Sequence, residues 1–181
     1  MYYMLHKCST EKVLKIFFNE PIKKHSLKDI STKSKLAHTS VKKILNDLLK
    51  EKIIIEKRER KGKRYFPLFY SNLETEKFKK MKVIENLESI YDSGLIGYLE
   101  KEIMPKSIVL FGSYLRGEDI EDSDVDIFVE SSGEEINLKK FEKILKRKIN
   151  ILFKESFNLL GKELKENIIN GFVLQGLVEL K

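Results

Sequence analysis

Cysteine is almost missing from this sequence. Cys8 is the single one among 181 residues, so an intrachain disulfide and a thiolate metal cluster are both excluded. Histidine is nearly as scarce. His6, His25 and His38 are scattered, and that spacing gives no zinc site. Long apolar runs are absent too, which leaves no membrane-spanning helix and no membrane partner. The opening MYYMLHKCST has no basic segment followed by an apolar stretch. No signal peptide is therefore expected, and a cytoplasmic location follows. Internal repeats and low-complexity tracts are missing as well.

What the chain does have is charge, unevenly placed. Residues 1–70 hold 18 Lys/Arg against 7 Asp/Glu, a net of +11. Residues 71–181 hold 17 against 21, a net of −4. A basic half joined to an acidic half points to two modules with different partners. The basic half suits a polyanion.

The basic half reads as three helices and a hairpin. Ser9 or Thr10 can cap a first helix through Val13, Ile16 and Phe17, which stops before Pro21. Ser26 can cap a short second helix through Leu27 and Ile30. In TSVKKILNDLLKEK, Val41, Ile44, Leu45, Leu48 and Leu49 form one apolar stripe, with Thr39 or Ser40 as cap. Lys42, Lys43, Asn46 and Lys50 occupy the opposite face. Two strands follow, Ile53–Glu59 and Arg64–Phe69, around a glycine turn at residues 60–63. Six of the eight residues from Lys57 to Arg64 are basic.

A helix that enters a DNA groove needs an apolar anchor on one side and polar side chains on the other. The third helix has both. Arg58, Arg60, Lys61, Lys63 and Arg64 on the hairpin can reach phosphates beside it. The stretch from LKDISTKSKLAHTSVKKIL to KGKRYFPL resembles the winged helix-turn-helix family over residues 9–69. The resemblance implies double-stranded DNA as a partner, and a homodimer that reads paired half-sites. The family often has glycine where this sequence has Lys52. His38, just ahead of the recognition helix, suits a capping or phosphate contact.

Residues 72–103 look helical, with Phe78, Met81, Ile84, Leu87 and Ile90 on one apolar face and a break near Ser93-Gly94. Beyond them, KSIVLF, DVDIFV and KINILF read as strands alternating with helices, hence an α/β sheet. The stretch FGSYLRGEDIEDSDVDIFV raises a problem of charge. It carries six carboxylates between Glu118 and Asp126. Asp124 and Asp126 are set among apolar residues that read as a buried strand, where unpaired charge is costly. They project to one face, and two carboxylates pressed together repel. A divalent cation relieves that repulsion, and Mg²⁺ is often held by carboxylates together with phosphate oxygens. Gly112 lets a phosphate approach the backbone, Ser113 supplies donors, and Arg116 adds a charge-assisted contact. Glu118–Asp122 reads as a solvated acidic loop, and Tyr114 and Leu115 as packing residues.

Gly112-Ser113, Arg116-Gly117, Ser123 and Asp124-Val125-Asp126 together resemble the minimal nucleotidyltransferases of the DNA polymerase β superfamily, over residues 92–181. The resemblance implies transfer of a nucleoside monophosphate from an NTP, with ATP the expected one, to an acceptor hydroxyl. Asp124 and Asp126 would hold Mg²⁺ or Mn²⁺, and Ser113 would bind the triphosphate. Members often act as antitoxins, and some place AMP on a tyrosine of a protein partner. The superfamily often has a third carboxylate on the next strand; here Asn150 stands there as a metal ligand without charge, with Glu130 and Glu155 as substitutes. The expected fold is a two-domain α+β or α/β chain: a winged helix-turn-helix at 1–70, a helical connector at 71–91, and a small mixed-sheet nucleotidyltransferase domain at 92–181. Two functions remain open. One is an enzyme targeted by its DNA-binding module. The other is a transcriptional regulator whose second domain senses nucleotide or mediates dimerisation.

Overall fold

The computed structural model describes residues 8–133 and 135–179, apart from the side chain of Lys61; His6 lies outside them. The chain divides into two compact units, 1–78 and 79–181.

The first unit holds helices α1 (Ser9–Asn19), α2 (Leu27–Ser34) and α3 (His38–Lys50), then strands β1 (Ile54–Lys61) and β2 (Arg64–Ser71). Helix α1 buries Val13, Leu14, Ile16, Phe17 and Phe18. Cys8, not Ser9 or Thr10, takes its cap position, and no side-chain bond forms there. Helix α2 starts as expected: Asp29 N–H donates to Ser26 Oγ at 3.2 Å, and Ser26 N–H donates back to Asp29 Oδ2 at 3.0 Å. This reciprocal capping box satisfies two donors that the helix end would otherwise leave bare. Helix α3 begins earlier than Thr39 or Ser40. Ala37 is its cap residue, and the Val41 N–H to Ala37 carbonyl bond closes the first turn. His38 therefore opens the helix. Val41, Leu45 and Leu48 are buried along it.

Strands β1 and β2 pair antiparallel from Ile54↔Ser71 to Lys61↔Arg64, around a turn at Gly62-Lys63 that is tighter than expected. The backbone of His25 pairs with Phe69 at the base of the hairpin. Lys52, just past α3, adopts the left-handed conformation at φ 55°, a region that costs a residue with a Cβ roughly 1 kcal/mol or more.

The boundary between units falls inside α4 (Glu76–Ser93). After it come α5 (Leu95–Ile103), β3 (Ser107–Phe111), α6 (Gly112–Arg116), β4 (Val125–Glu130), α7 (Lys139–Leu145), β5 (Ile149–Lys154), α8 (Lys162–Ile169) and β6 (Phe172–Gly176). The four strands form a mixed sheet in the order β5-β4-β3-β6. β3 runs antiparallel to β4 and β6, and β4 runs parallel to β5. Period-two alternation sends Ile108, Leu110, Val125, Ile127 and Val129 into one apolar layer, with Leu95 and Leu99. Val109 and Phe128 point the other way, against Phe157, Leu160 and Ile168. Both sheet faces are thus covered, and Asp126 lies on the second.

Helix α4 departs from its expected face. Ile84 is 68% exposed, while Lys82 and Asn86 are buried in line with Phe78 and Ile90. The buried row follows an i, i+4 spacing that mixes apolar and polar residues. Among the described residues, no helix is long and apolar enough to cross a membrane.

Candidate active site

The site is built where β3 ends. Phe111 is the register partner of Asp126 on β4, so the turn that follows must pass close to that carboxylate. Gly112 makes this possible. Its φ is +77°, and a Cβ there would sit 2.4 Å from Asp126 Oδ2. Only glycine tolerates both the angle and the approach. From the other side, the parallel pairing of β4 and β5 sets Asn150 opposite Asp126. Its Nδ2 donates to Asp126 Oδ1 at 3.0 Å. Asp126 is therefore fixed between a glycine turn and an amide.

A cavity of about 500 Å³ gathers Gly112, Ser113, Arg116, Asp126 and Asn150, with Leu152 and Leu164 as apolar wall. Arg116 is exposed, and its Nε donates to Glu118 Oε2 at 2.9 Å. That bond, with the nearby cation, holds the Glu118 carboxyl below its usual range. Asp124 does not line this cavity. It lines a neighbouring one of about 610 Å³.

Asp124 is exposed and Asp126 half-buried, so neither is the desolvated charge that the sequence suggested. An apolar strand on both sides does not bury a carboxylate at the strand's open end. The pair's chemistry is nonetheless of the kind a divalent cation takes. Two carboxylates two residues apart offer hard oxygens toward solvent, and the Asn150 bond stiffens one of them.

The buried carboxylate of the acidic stretch is Asp119, at 1% exposure. This corrects the expectation that Glu118–Asp122 is a solvated loop. Lys82 Nζ lies 3.0 Å from Asp119 Oδ1 and also donates to the Asp119 carbonyl. Arg147 Nη2 reaches Asp119 Oδ2 at 3.3 Å. Asn86 Nδ2 donates to both Asp119 Oδ1 and the Tyr114 carbonyl, at 2.8 and 2.7 Å. Burial pushes the Lys82 ammonium below its usual range, and Asp119 opposes that shift. Gly117 completes the join: a Cβ there would meet the Lys79 carbonyl at 2.4 Å. The loop that leads to Asp124 is thereby pinned to α4. Tyr114 is buried as expected, and burial raises its phenol above the usual range.

Glu130 and Glu155 do not stand in for a third carboxylate. Glu130 lies at the far end of β4, about 13 Å along the strand from Asp126, and accepts from Ser107 Oγ and the Phe157 N–H. Glu155 lies just past the corresponding end of β5. In the first unit, Lys42, Lys43, Asn46 and Lys50 are exposed on α3. Arg58, Arg60, Lys63 and Arg64 are exposed on the hairpin. Lys50 pairs weakly with Asp47 at 3.6 Å.

Comparison with known proteins agrees with the geometry of the second unit. The nucleotidyltransferase domain family matches residues 93–174. The "Putative protein adenylyltransferase" of Methanocaldococcus jannaschii is 40% identical over 81 residues, which cover 39% of this chain and 81% of that protein. No solved structure matches the chain. With the Gly112-Ser113 turn set against Asp126 and four-fifths of that relative covered, the chain belongs to the nucleotidyltransferase domain family and is a transferase of nucleotidyl groups.

Proposed function

We propose that the protein transfers AMP from ATP to a hydroxyl of a protein acceptor in the cytoplasm. The observation that carries this reading is the close approach of the Gly112 turn to Asp126, which leaves backbone and Ser113 donors beside a carboxylate. In this reading Ser113 and Arg116 bind the triphosphate, and the apolar wall of Leu152 and Leu164 takes the nucleoside. Asp124 and Asp126 hold Mg²⁺ or Mn²⁺, with Asn150 beside them. The cation supplies charge neutralisation for the phosphates. Asn150 brings no negative charge, so the metal is held by two carboxylates and the triphosphate. The name of the archaeal relative favours a protein acceptor and ATP.

The exposed cations of α3 and the hairpin favour a second role for the first unit. There it docks on double-stranded DNA as a winged helix, with Lys42, Lys43, Asn46 and Lys50 toward the major groove, and a homodimer spans two half-sites.

Calorimetry with each of the four NTPs, with and without Mg²⁺, tests the site. Wild type should bind ATP in a metal-dependent manner, and an Asp124→Asn/Asp126→Asn double variant should not. Equal binding by both proteins overturns the assignment.

A further inference from the structure

Asp124 and Asp126 open onto different cavities. The two cavities share no lining residue: Asp126 stands with the Gly112-Ser113 turn in one, and Asp124 lines the other. Two residues of extended chain set the two α-carbons about 7 Å apart, with both side chains on the same side of the strand. A reaction centre at this pair is therefore reachable from two sides.

The Asp124 cavity has walls of opposite charge. One wall is the acidic loop, with Glu121, Asp122 and Asp124. The other is the junction of α7 and β5, with Lys143, Lys146 and Lys148. Two further charged groups here are already committed. Arg147 binds Asp119, and Glu142 Oε1 accepts from the Ile149 N–H. Lys143, Lys146 and Lys148 are exposed and form no ion pair among the described residues. Lys146 is held in the left-handed conformation at φ 55°, which turns the chain between the other two.

We propose that this cavity is the acceptor site and that it takes an acidic peptide. The proposal rests on the nucleotidyl-transfer reading above. Carboxylates of the peptide pair with Lys143, Lys146 and Lys148, and its hydroxyl reaches the carboxylate pair from the Asp124 side. The hydroxyl oxygen forms a bond to the α-phosphorus of ATP. The bond from that phosphorus to the β-bridging oxygen breaks, pyrophosphate leaves, and the hydroxyl proton is released to water at the cavity mouth. A nucleic acid fits this cavity poorly. Its backbone carries a charge at every nucleotide, and some phosphates would face Asp122 and Asp124. A peptide can confine its carboxylates to the lysine wall.

The test uses the full chain and labelled peptides containing serine, threonine and tyrosine. They are flanked by glutamate, glutamine or lysine, and an oligonucleotide of equal length serves as a further probe. Fluorescence anisotropy reads binding, and mass spectrometry reads AMP addition. The glutamate peptide should bind roughly tenfold or more tighter than the other two. The triple Lys143→Ala/Lys146→Ala/Lys148→Ala variant should lose that preference, and the corresponding triple change to Glu should favour the lysine peptide. Both should still bind ATP like wild type. Equal binding of all peptides, or an unchanged preference in the triple variants, overturns the proposal. Tighter binding of the oligonucleotide through the same lysines overturns it in favour of a nucleic-acid acceptor. Failure of wild type to bind ATP marks instead a failure of the nucleotidyl-transfer reading, and the peptide preference still decides the acceptor surface.

Discussion

Lys82 on α4 and Asp119 in the acidic loop form a fully buried ion pair, 3.0 Å apart, at 0% and 1% exposure. Arg147 and Asn86 close around the same carboxylate. Asp119 is one carboxylate between two cations, so removing it takes away the counter-charge that Lys82 and Arg147 share in the interior. Asp119→Leu is expected to cost about 3–5 kcal/mol. Adding Lys82→Met should recover part of that loss, because the ammonium stranded by the missing carboxylate is then gone. Urea unfolding of the two variants checks the order. A double variant less stable than the single one by the full cost of Lys82→Met would show that the two residues act independently.

Gly112→Ala should spare the fold more than the site. The new Cβ would lie 2.4 Å from Asp126 Oδ2, at a φ that disfavours it. Either the turn or the carboxylate must move. A shift of about 1 Å in a reacting geometry costs on the order of 10²-fold in rate. Pyrophosphate release should fall by that order, with circular dichroism unchanged.

Asn150→Asp adds a third carboxylate against Asp126. Like charges at this distance repel, so the variant should melt below wild type in the presence of a chelator. Mg²⁺ should reverse the difference and bind more tightly than to wild type. Differential scanning fluorimetry with and without Mg²⁺ reads both effects. A variant indifferent to the cation would place the metal elsewhere.

His25 predicts a pH response in the first unit. Burial lowers its pKa below 6.5, with partial opposition from the Glu20 carbonyl. Phe17 packs on the ring edge at 5.4 Å. The unfolded chain therefore binds a proton before the folded one does. No cost arises well above pH 6.5. As pH falls through 6.5 toward the folded value, stability is progressively lost. Melting temperatures from pH 8 to 5 should decline in wild type, with a shallower slope in His25→Gln.

Lys52→Gly should stabilise the first unit by about 0.5–1 kcal/mol. The gain comes from relief of the left-handed strain, offset by the extra freedom of glycine in the unfolded chain. A shift in the urea midpoint reports it.

Periodicity made much of this molecule legible. The stripe from Val41 to Leu49 placed α3, Gly62 placed the hairpin turn, and Gly112, Ser113 and Asp126 line one cavity while Asp124 lines another. Asp119 was not legible. It sits in a loop of like charges, and its partners Lys82 and Arg147 lie 37 and 28 residues away. The only local trace was the i, i+4 row Phe78, Lys82, Asn86, Ile90, which a hydrophobic reading passes over because two members are polar. Asp124 and Asp126 misled in the opposite sense. Apolar neighbours suggested burial, but a strand end open to solvent leaves carboxylates accessible.

The most direct test follows the label of ATP. The full chain is incubated with Mg²⁺ and an acidic hydroxyl-bearing peptide, with ATP labelled at the α-phosphate in one reaction and at the γ-phosphate in another. Wild type should leave the α label on the peptide and release the γ label as pyrophosphate, and Asp126→Asn should do neither. A γ label on the peptide, or an Asp126→Asn protein as active as wild type, would contradict nucleotidyl transfer at this site.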